Sequence, residues 1–178
     1  LSPKLKKKLG LFCNVETDHV FESPDVETIY EIPLVLNQQK FDDIIIHKLG
    51  LKAGVHEESL NILENYIGRF KHPKHTVTIA MCGKYNSLQD AYKSIIEAFI
   101  HAGIENETRV KVKWVDTEKL DSEEKEDVIF QQVDGILIPG GFGDRGIEGK
   151  IMASRYAREN NIPFFGICLG LQCAIIDF

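Results

Sequence analysis

From about residue 75 onward, short β-branched runs alternate with longer stretches in which apolar residues recur every three or four positions. This alternation is typical of an α/β fold, an open parallel sheet with flanking helices. The predicted strands are 76–81, 110–115, 135–138 and 163–167. The predicted helices are 87–102, 147–160 and one that begins at Leu169, with Ser87 as a cap of the first and Gly103 as its stop. The strand 163–167 is apolar on both faces, which predicts a central position in the sheet.

The first 75 residues have a different pattern. Residues 9–15 predict a strand, residues 24–33 carry turn and capping chemistry, and residues 41–49 and 59–70 predict helices. The polar, proline-containing segment 71–75 precedes the first strand of the α/β pattern, and we place a domain boundary there. The predicted α/β domain is therefore 75–178.

Composition narrows the class of protein. The 178 residues carry 21 Lys and Arg against 27 Asp and Glu, a formal charge of −6, and 43% of the chain is hydrophobic. The mild acidic balance argues against nucleic acid as a partner. Because no apolar run approaches the length of a membrane span or of a secretory signal, we expect a cytoplasmic protein with no membrane contact.

The four cysteines, Cys13, Cys82, Cys168 and Cys173, contain no C-x-x-C pair. Their spacing therefore indicates neither a zinc ribbon nor a dithiol redox motif, and no metal site is predicted.

The strongest chemical signal is Gly166-Ile167-Cys168-Leu169-Gly170, between an apolar strand and the start of a helix. This is the cysteine version of the nucleophile elbow, in which flanking glycines permit a sharp turn that exposes the nucleophile above the sheet. The start of a helix also favours an anion. We expect Cys168 to be a nucleophile, with the backbone N–H of Leu169 as one oxyanion donor.

A second donor is expected from residues 140–143, here called the glycine loop, which follow the adjacent predicted strand. An alternative remains open, because residues 141–146 match G-x-G-x-x-G, the fingerprint of a dinucleotide-binding module. Against it, the carboxylate that should bind the ribose about 20 residues further on is missing. All six histidines precede Cys168, and we expect the catalytic base to lie beyond Phe178.

Several segments together resemble the class I glutamine amidotransferase domain of the CTP synthase family and the synthetase part that precedes it. They are residues 139–149, 157–163, 166–172, 11–15, 24–33, 83–85 and 90–94. The resemblance covers essentially the whole chain. It implies that residues 1–36 end a P-loop-like α/β synthetase (amidoligase) domain, that 37–74 form a helical linker, and that 75–178 begin the amidotransferase domain.

The resemblance also assigns roles to individual residues. It makes Cys168 the catalytic nucleophile. The residues implied to bind glutamine or form the oxyanion hole are Gly141, Leu169, Gly170, Leu171 and Gln172. Those implied to contact nucleotides are Lys8, which matches a pyrimidine contact, and Pro24, Asp25 and Val26, which match an ATP contact. Lys93 falls where a lysine linked to activation by GTP occurs. Asp144 departs from the family, in which an aromatic or aliphatic residue is usual.

The activity implied by the resemblance is that of a ligase with a glutaminase half-reaction in pyrimidine biosynthesis. Glutamine supplies ammonia through a cysteine thioester, and ATP with Mg²⁺ drives the amination of UTP to CTP. CTP is the implied feedback inhibitor, GTP the allosteric activator, and a homotetramer the implied assembly. The Mg²⁺ ligands and the His-x-Glu of the triad match no residue of this chain, so we expect an interior fragment that is inactive alone. A non-catalytic amidotransferase-like interaction domain is the further alternative.

Overall fold

The computed structural model describes residues 1–52, 57–84, 89–120 and 126–178. Within these ranges the chain forms two compact units, Leu1–Lys71 and His72–Phe178, which are treated separately below. No helix within the described ranges is long and apolar enough to span a membrane.

Among the described residues of the N-terminal unit the regular secondary structure is entirely helical. Its helices are α1 (Pro3–Cys13), α2 (Ile32–Gln38), α3 (Phe41–Lys48) and α4 (Glu57–Lys71), with 3₁₀ turns at Thr17–His19 and Ile29–Glu31. The helices predicted at 41–49 and 59–70 are confirmed within two residues at each end. The assignment of this unit to the end of a P-loop-like domain plus a linker stays a prediction.

The strand predicted at 9–15 is wrong, because these residues belong to α1 and the turn after it. Ser2 caps the helix by accepting a hydrogen bond from the N–H of Leu5 at 3.3 Å, and Pro3 occupies the first helical turn. Asn14 ends the helix in the left-handed conformation, with φ at 54°. These local start and stop signals outweigh the β-branched and aromatic residues of the segment.

The C-terminal unit contains a four-stranded parallel sheet among its described residues. Its strands are β1 (His75–Gly83), β2 (Thr108–Asp116), β3 (Gly135–Ile138) and β4 (Phe164–Gly166), in the order β2-β1-β3-β4. Ile79 pairs with Val112 of β2 and with Gly135 of β3, and Ile138 pairs with Gly166 of β4. The predicted open parallel α/β sheet is confirmed.

Helices cover both faces of this sheet. They are α5 (Lys93–Glu105), α6 (Glu126–Ile129), α7 (Ile147–Glu159) and α8 (Leu169–Asp177). Because side chains alternate along a strand, Ala80 and Cys82 pack with α7 on one face, while Met81 packs with α5 on the other. The sheet is therefore the middle layer of three, as burial of both faces of a parallel sheet requires.

The predicted central position of 163–167 is wrong for the sheet of the described residues. β4 pairs with β3 alone and lies at the edge, and the side chain of Phe165 is 63% exposed. An apolar run indicates that both faces of a strand can be covered. Which strands pair with it depends on the crossover connections of the chain.

The helix predicted at 87–102 begins later and ends later than expected. A 3₁₀ turn at Gln89–Tyr92 leads into α5, which continues through Gly103 to Glu105, and Ser87 lies outside the described residues. Gly103 is a packing glycine rather than a stop, because a Cβ there would lie 2.4 Å from the carbonyl oxygen of Thr108.

Candidate active site

Cys168 occupies a sharp turn between β4 and α8, at the carboxyl edge of the sheet. Its φ is 50° and its ψ is −108°, a left-handed conformation that non-glycine residues rarely adopt. Such strain persists only where the surrounding structure enforces it, and it is a feature of nucleophile elbows. The Cys168 side chain is exposed, so the turn presents its thiol to solvent.

The two glycines that flank Cys168 are required by close backbone approaches. A Cβ at Gly166 would lie 2.6 Å from backbone atoms of Gly170 and Leu171, where the first turn of α8 passes over β4. A Cβ at Gly170 would lie 2.3 Å from the carbonyl oxygen of Ile138, at the end of β3. Both glycines therefore allow α8 to start directly on the sheet, which forces the strained turn at Cys168.

The glycine loop lies beside this turn. It follows β3, and a Cβ at Gly140 would be 3.7 Å from the Cβ of Cys168. A Cβ at Gly141 would be 3.6 Å from Cδ2 of Leu169. Strand order reverses between β1 and β3, since β2 lies on one side of β1 and β3 on the other. Ligands of open α/β sheets bind at such a switch point, outside the carboxyl ends of the strands.

The turn offers a backbone donor close to the thiol. The N–H of Gly170 is already bound to the carbonyl oxygen of Ile167 at 2.9 Å. Leu169 is the first residue of α8, and the first N–H groups of a helix have no acceptor within the helix. The N–H of Leu169 is therefore the elbow donor that can face an anion formed next to Cys168.

Two lysines approach the glycine loop. The ammonium of Lys84, which follows β1, donates to the carbonyl oxygen of Phe142. Lys150 on α7 is only 1% exposed, and its Nζ lies 3.4 Å from the position of a Cβ at Gly141. Desolvation lowers the pKa of Lys150, an effect that Cys173 opposes and the Lys84 ammonium reinforces. The sequence signal for the burial of Lys150 is Ala153, an apolar residue three positions further along the same face of α7.

The other three cysteines do not share the environment of Cys168. Cys82 and Cys173 are buried, and burial raises the pKa of both thiols. Cys13 is exposed, but it ends α1 in ordinary helical backbone, in the N-terminal unit. A thiolate is the reactive form of cysteine, so the two buried thiols are unsuited to nucleophilic chemistry.

No histidine of the described C-terminal unit lies near the carboxyl edge of the sheet. His72 and His75 precede or begin β1, and His101 lies near the end of α5, so all three are towards the opposite edge. His56 lies outside the described residues.

One potential metal-ligand group occurs in the part of the chain that is described. Glu16, Asp18 and His19 have ligand atoms within 4.8 Å of one another, and both carboxylates are exposed. His19 already pairs with Glu16 at 3.5 Å. Because Mg²⁺ prefers an octahedral set of oxygen ligands, this mixed surface group does not fit it.

The geometry of residues 141–146 argues against the dinucleotide alternative. The third glycine of that fingerprint should lie where the helix packs on its strand. Gly146 instead precedes α7 with φ at 71°, and a Cβ there would meet Oγ1 of Thr117 at 2.5 Å.

The remaining predicted site residues lie at different places. Leu171 and Gln172 are exposed on the first turn of α8, beside Cys168, and Lys93 is the exposed first residue of α5. In the N-terminal unit Lys8, Pro24 and Asp25 are exposed and Val26 is half-buried. The ammonium of Lys8 lies 5.9 Å from the ring centre of Phe12.

Comparison with known families identifies the family of the chain that contains this elbow. The family model described as glutamine amidotransferase class-I matches residues 87–178, more than half of the chain. The chain belongs to the class I glutamine amidotransferase family. A second family model, described as CTP synthase N-terminus, matches residues 1–51. The amidotransferase match thus covers the elbow, the glycine loop and α7.

Curated relatives and a solved structure agree with this membership. The chain is 50% identical over 178 residues to the CTP synthase of Carboxydothermus hydrogenoformans, covering all of this chain and 33% of that protein. It is 48% identical over 183 residues to the CTP synthase of Methanocaldococcus jannaschii, covering all of this chain and 34% of that protein. The chain thus spans about one third of the length of these relatives.

The solved structure is described as Trypanosoma brucei CTPS glutaminase domain with bound acivicin. It superposes with a TM-score of 0.53 at 41% identity, over 57% of this chain and 39% of that one. The sheet with its flanking helices is therefore an amidotransferase-type fold by sequence and by shape.

Proposed function

We propose that this chain is part of a glutamine-hydrolysing CTP synthase, and that Cys168 is the nucleophile of its glutaminase half-reaction. The observation that carries the proposal is the strained backbone of Cys168, with φ at 50°, between two glycines that tolerate no Cβ. The similarity of the whole chain to CTP synthases supports the same assignment.

In the proposed reaction, the Sγ of Cys168 attacks the side-chain amide carbon of glutamine. The carbonyl oxygen becomes an oxyanion, which the N–H of Leu169 and the glycine loop at Gly141 stabilise. The carbon–nitrogen bond then breaks, the thiol proton is delivered to the leaving nitrogen through a base, and ammonia departs. Water hydrolyses the resulting thioester to glutamate and restores the thiol. Gly170 permits the turn, while Leu171 and Gln172 line the glutamine side of α8.

We propose that the base is a histidine outside these 178 residues. A general base must reach the thiol within hydrogen-bond distance, and the described histidines of the C-terminal unit are at the other edge of the sheet. The 178-residue chain alone would then lack glutaminase activity even though the thiol of Cys168 is exposed.

The ammonia would be consumed in the amination of UTP, activated by ATP with Mg²⁺. We propose that Lys8 contacts the pyrimidine nucleotide and that Pro24, Asp25 and Val26 contact ATP. Lys93 is the proposed contact for activation by GTP. Feedback inhibition by CTP, a cytoplasmic location and a homotetramer complete the proposal. Mg²⁺ would be held by residues outside this chain, as the resemblance to the CTP synthase family implies.

The test uses the native protein that contains this chain. CTP formation from UTP and ATP is measured with glutamine and, separately, with free ammonia, for wild type, Cys168→Ala and Cys13→Ala. Cys13 is the matched control because it is the other exposed thiol. We expect Cys168→Ala to lose the glutamine-driven reaction and keep the ammonia-driven one, and Cys13→Ala to keep both. Glutamine-driven synthesis by Cys168→Ala would refute the assignment.

A further inference from the structure

Two ammonium groups converge on the glycine loop from different elements. Lys84, at the end of β1, donates to the carbonyl oxygen of Phe142, and a Cβ at Gly143 would be 3.9 Å from the same Nζ. Lys150, buried in α7, has its Nζ 3.4 Å from the Cβ position of Gly141. The loop thus lies between Lys84, which follows β1 and donates to it, and Lys150, which is buried in the first turns of α7.

The glycine loop needs such anchoring because its own sequence restrains it little. Glycine adopts positive and negative φ with similar ease, and Gly143 has φ at 76°. A peptide unit in this loop can therefore exchange one orientation for another at low cost. An oxyanion hole works only if its donors already point at the developing charge.

A hydrogen bond to one carbonyl fixes the orientation of a whole peptide unit. The unit is planar and trans, so the N–H of Gly143 points away from the side on which the Phe142 carbonyl meets Lys84. Restraining this unit removes those rotations of the preceding peptides, at Gly141 and Gly140, that would require the Phe142 carbonyl to move. Gly140 lies next to Cys168, with 3.7 Å between its Cβ position and the Cβ of Cys168.

We propose that Lys84 is a positioning residue for the glutaminase reaction, which orients the glycine loop through the Phe142 carbonyl, with Lys150 supporting the loop at Gly141. This inference rests on the proposed glutaminase function. Lys84 touches neither the thiol nor the reacting amide in this scheme. It acts by holding the loop in the orientation that the oxyanion requires.

The test compares lysine variants in the native protein that contains this chain. Lys84→Met removes the ammonium and keeps a long side chain, and Lys84→Arg restores a cationic donor. Lys113→Met is the matched control, because the Lys113 ammonium also donates to a backbone carbonyl, that of Gln131 at 3.4 Å, outside the glycine loop. Each variant is assayed for kcat and KM with glutamine, for the ammonia-driven reaction, and for alkylation of Cys168 by iodoacetamide.

We expect Lys84→Met to lower the glutamine-driven kcat about 10- to 100-fold, somewhat less than the loss of an oxyanion donor itself. Because the loop orients donors for the transition state, KM should change less than about threefold. The ammonia-driven rate and the alkylation rate should equal those of wild type, since neither needs an oxyanion at Cys168. Lys84→Arg should recover most of the kcat, and Lys113→Met should match wild type. Lys150→Met should show the same selective loss of glutamine-driven kcat.

Two results would overturn the inference: a Lys84→Met enzyme that behaves like Lys113→Met, or one that loses glutamine- and ammonia-driven activity in equal proportion. Failure of the underlying function is distinguishable, because glutamine-driven activity would then survive in Cys168→Ala. If Cys168→Ala is inactive with glutamine while Lys84→Met is fully active, only the positioning role is wrong.

Discussion

Replacing Cys168 with glycine should make the protein more stable than replacing it with alanine. Both variants lose the sulfur, so its contacts cancel in the comparison. Alanine keeps a Cβ at φ 50° and ψ −108°, whereas glycine has none. For glycine this conformation is the mirror image of one near the extended region, and it carries little steric cost.

The size of this difference in the free energy of unfolding follows from two opposing contributions. A non-glycine residue held in such a region costs on the order of 1–3 kcal/mol. Against this, glycine loses about 0.5–1 kcal/mol more conformational entropy on folding than alanine does. The net difference in the free energy of unfolding is about 1 kcal/mol in favour of Cys168→Gly. At an ordinary helical position the sign is reversed.

Urea unfolding followed by tryptophan fluorescence measures this difference. The chain has one tryptophan, Trp114, which lies on β2 beside Tyr92 with 5.9 Å between ring centres, so the signal reports the C-terminal unit. Gln172 on α8 provides the control, since Gln172→Gly should be about 1 kcal/mol less stable than Gln172→Ala. If Cys168→Gly is also less stable than Cys168→Ala, the turn at Cys168 is unstrained and the argument from its backbone fails.

Three further predictions concern stability. Gly170→Ala should destabilise the C-terminal unit by about 3 kcal/mol or more in the same urea assay, because its Cβ would lie 2.3 Å from the Ile138 carbonyl oxygen; a change below about 1 kcal/mol would contradict this. Gly68→Ala should stabilise the N-terminal unit by about 1 kcal/mol in thermal unfolding followed by circular dichroism, because Gly68 is inside α4 with nothing within 4 Å of its Cβ position. The hydrogen bond from Arg158 is the main cause of a lowered pKa at Asp177, and the hydrogen bond from Arg155 lowers that pKa further. The stability that this carboxylate contributes is therefore present above about pH 4 and is lost as the pH falls through the lowered pKa. Asp177→Asn should accordingly lower the urea midpoint at pH 7 and leave it unchanged near pH 2, and an equal loss at both pH values would exclude the ion pairs as its cause.

The parts of the fold that the sequence predicted well depend on local signals. The strands at 110–115 and 135–138 lie within or coincide with β2 and β3, because β-branched residues bounded by turn residues leave few other conformations. The elbow is also local, since five consecutive residues supply its glycines, its nucleophile and its first donor. The strand predicted at 9–15 failed where two local signals competed, and capping by Ser2 prevailed over β propensity.

What the sequence could not predict depends on strand order. The central position expected for 163–167 was inferred from its apolar residues on both faces. These residues do not show which strands pair with it, and β4 lies at the edge of the described sheet. The contact between Lys84 and the Phe142 carbonyl joins residues 58 positions apart. It exists because the chain crosses from β2 over β1 to β3, which brings the ends of β1 and β3 together.

This division between local and long-range signals explains how the candidate site is built. The reacting group and the strained turn that carries it belong to one short segment, so they can be recognised in the sequence. The orientation of the glycine loop depends on a residue from another strand, because a loop rich in glycine cannot fix its own peptides. A substitution at Lys84 would therefore leave the elbow motif intact while removing the restraint on the loop, and sequence motifs alone would fail to reveal the loss.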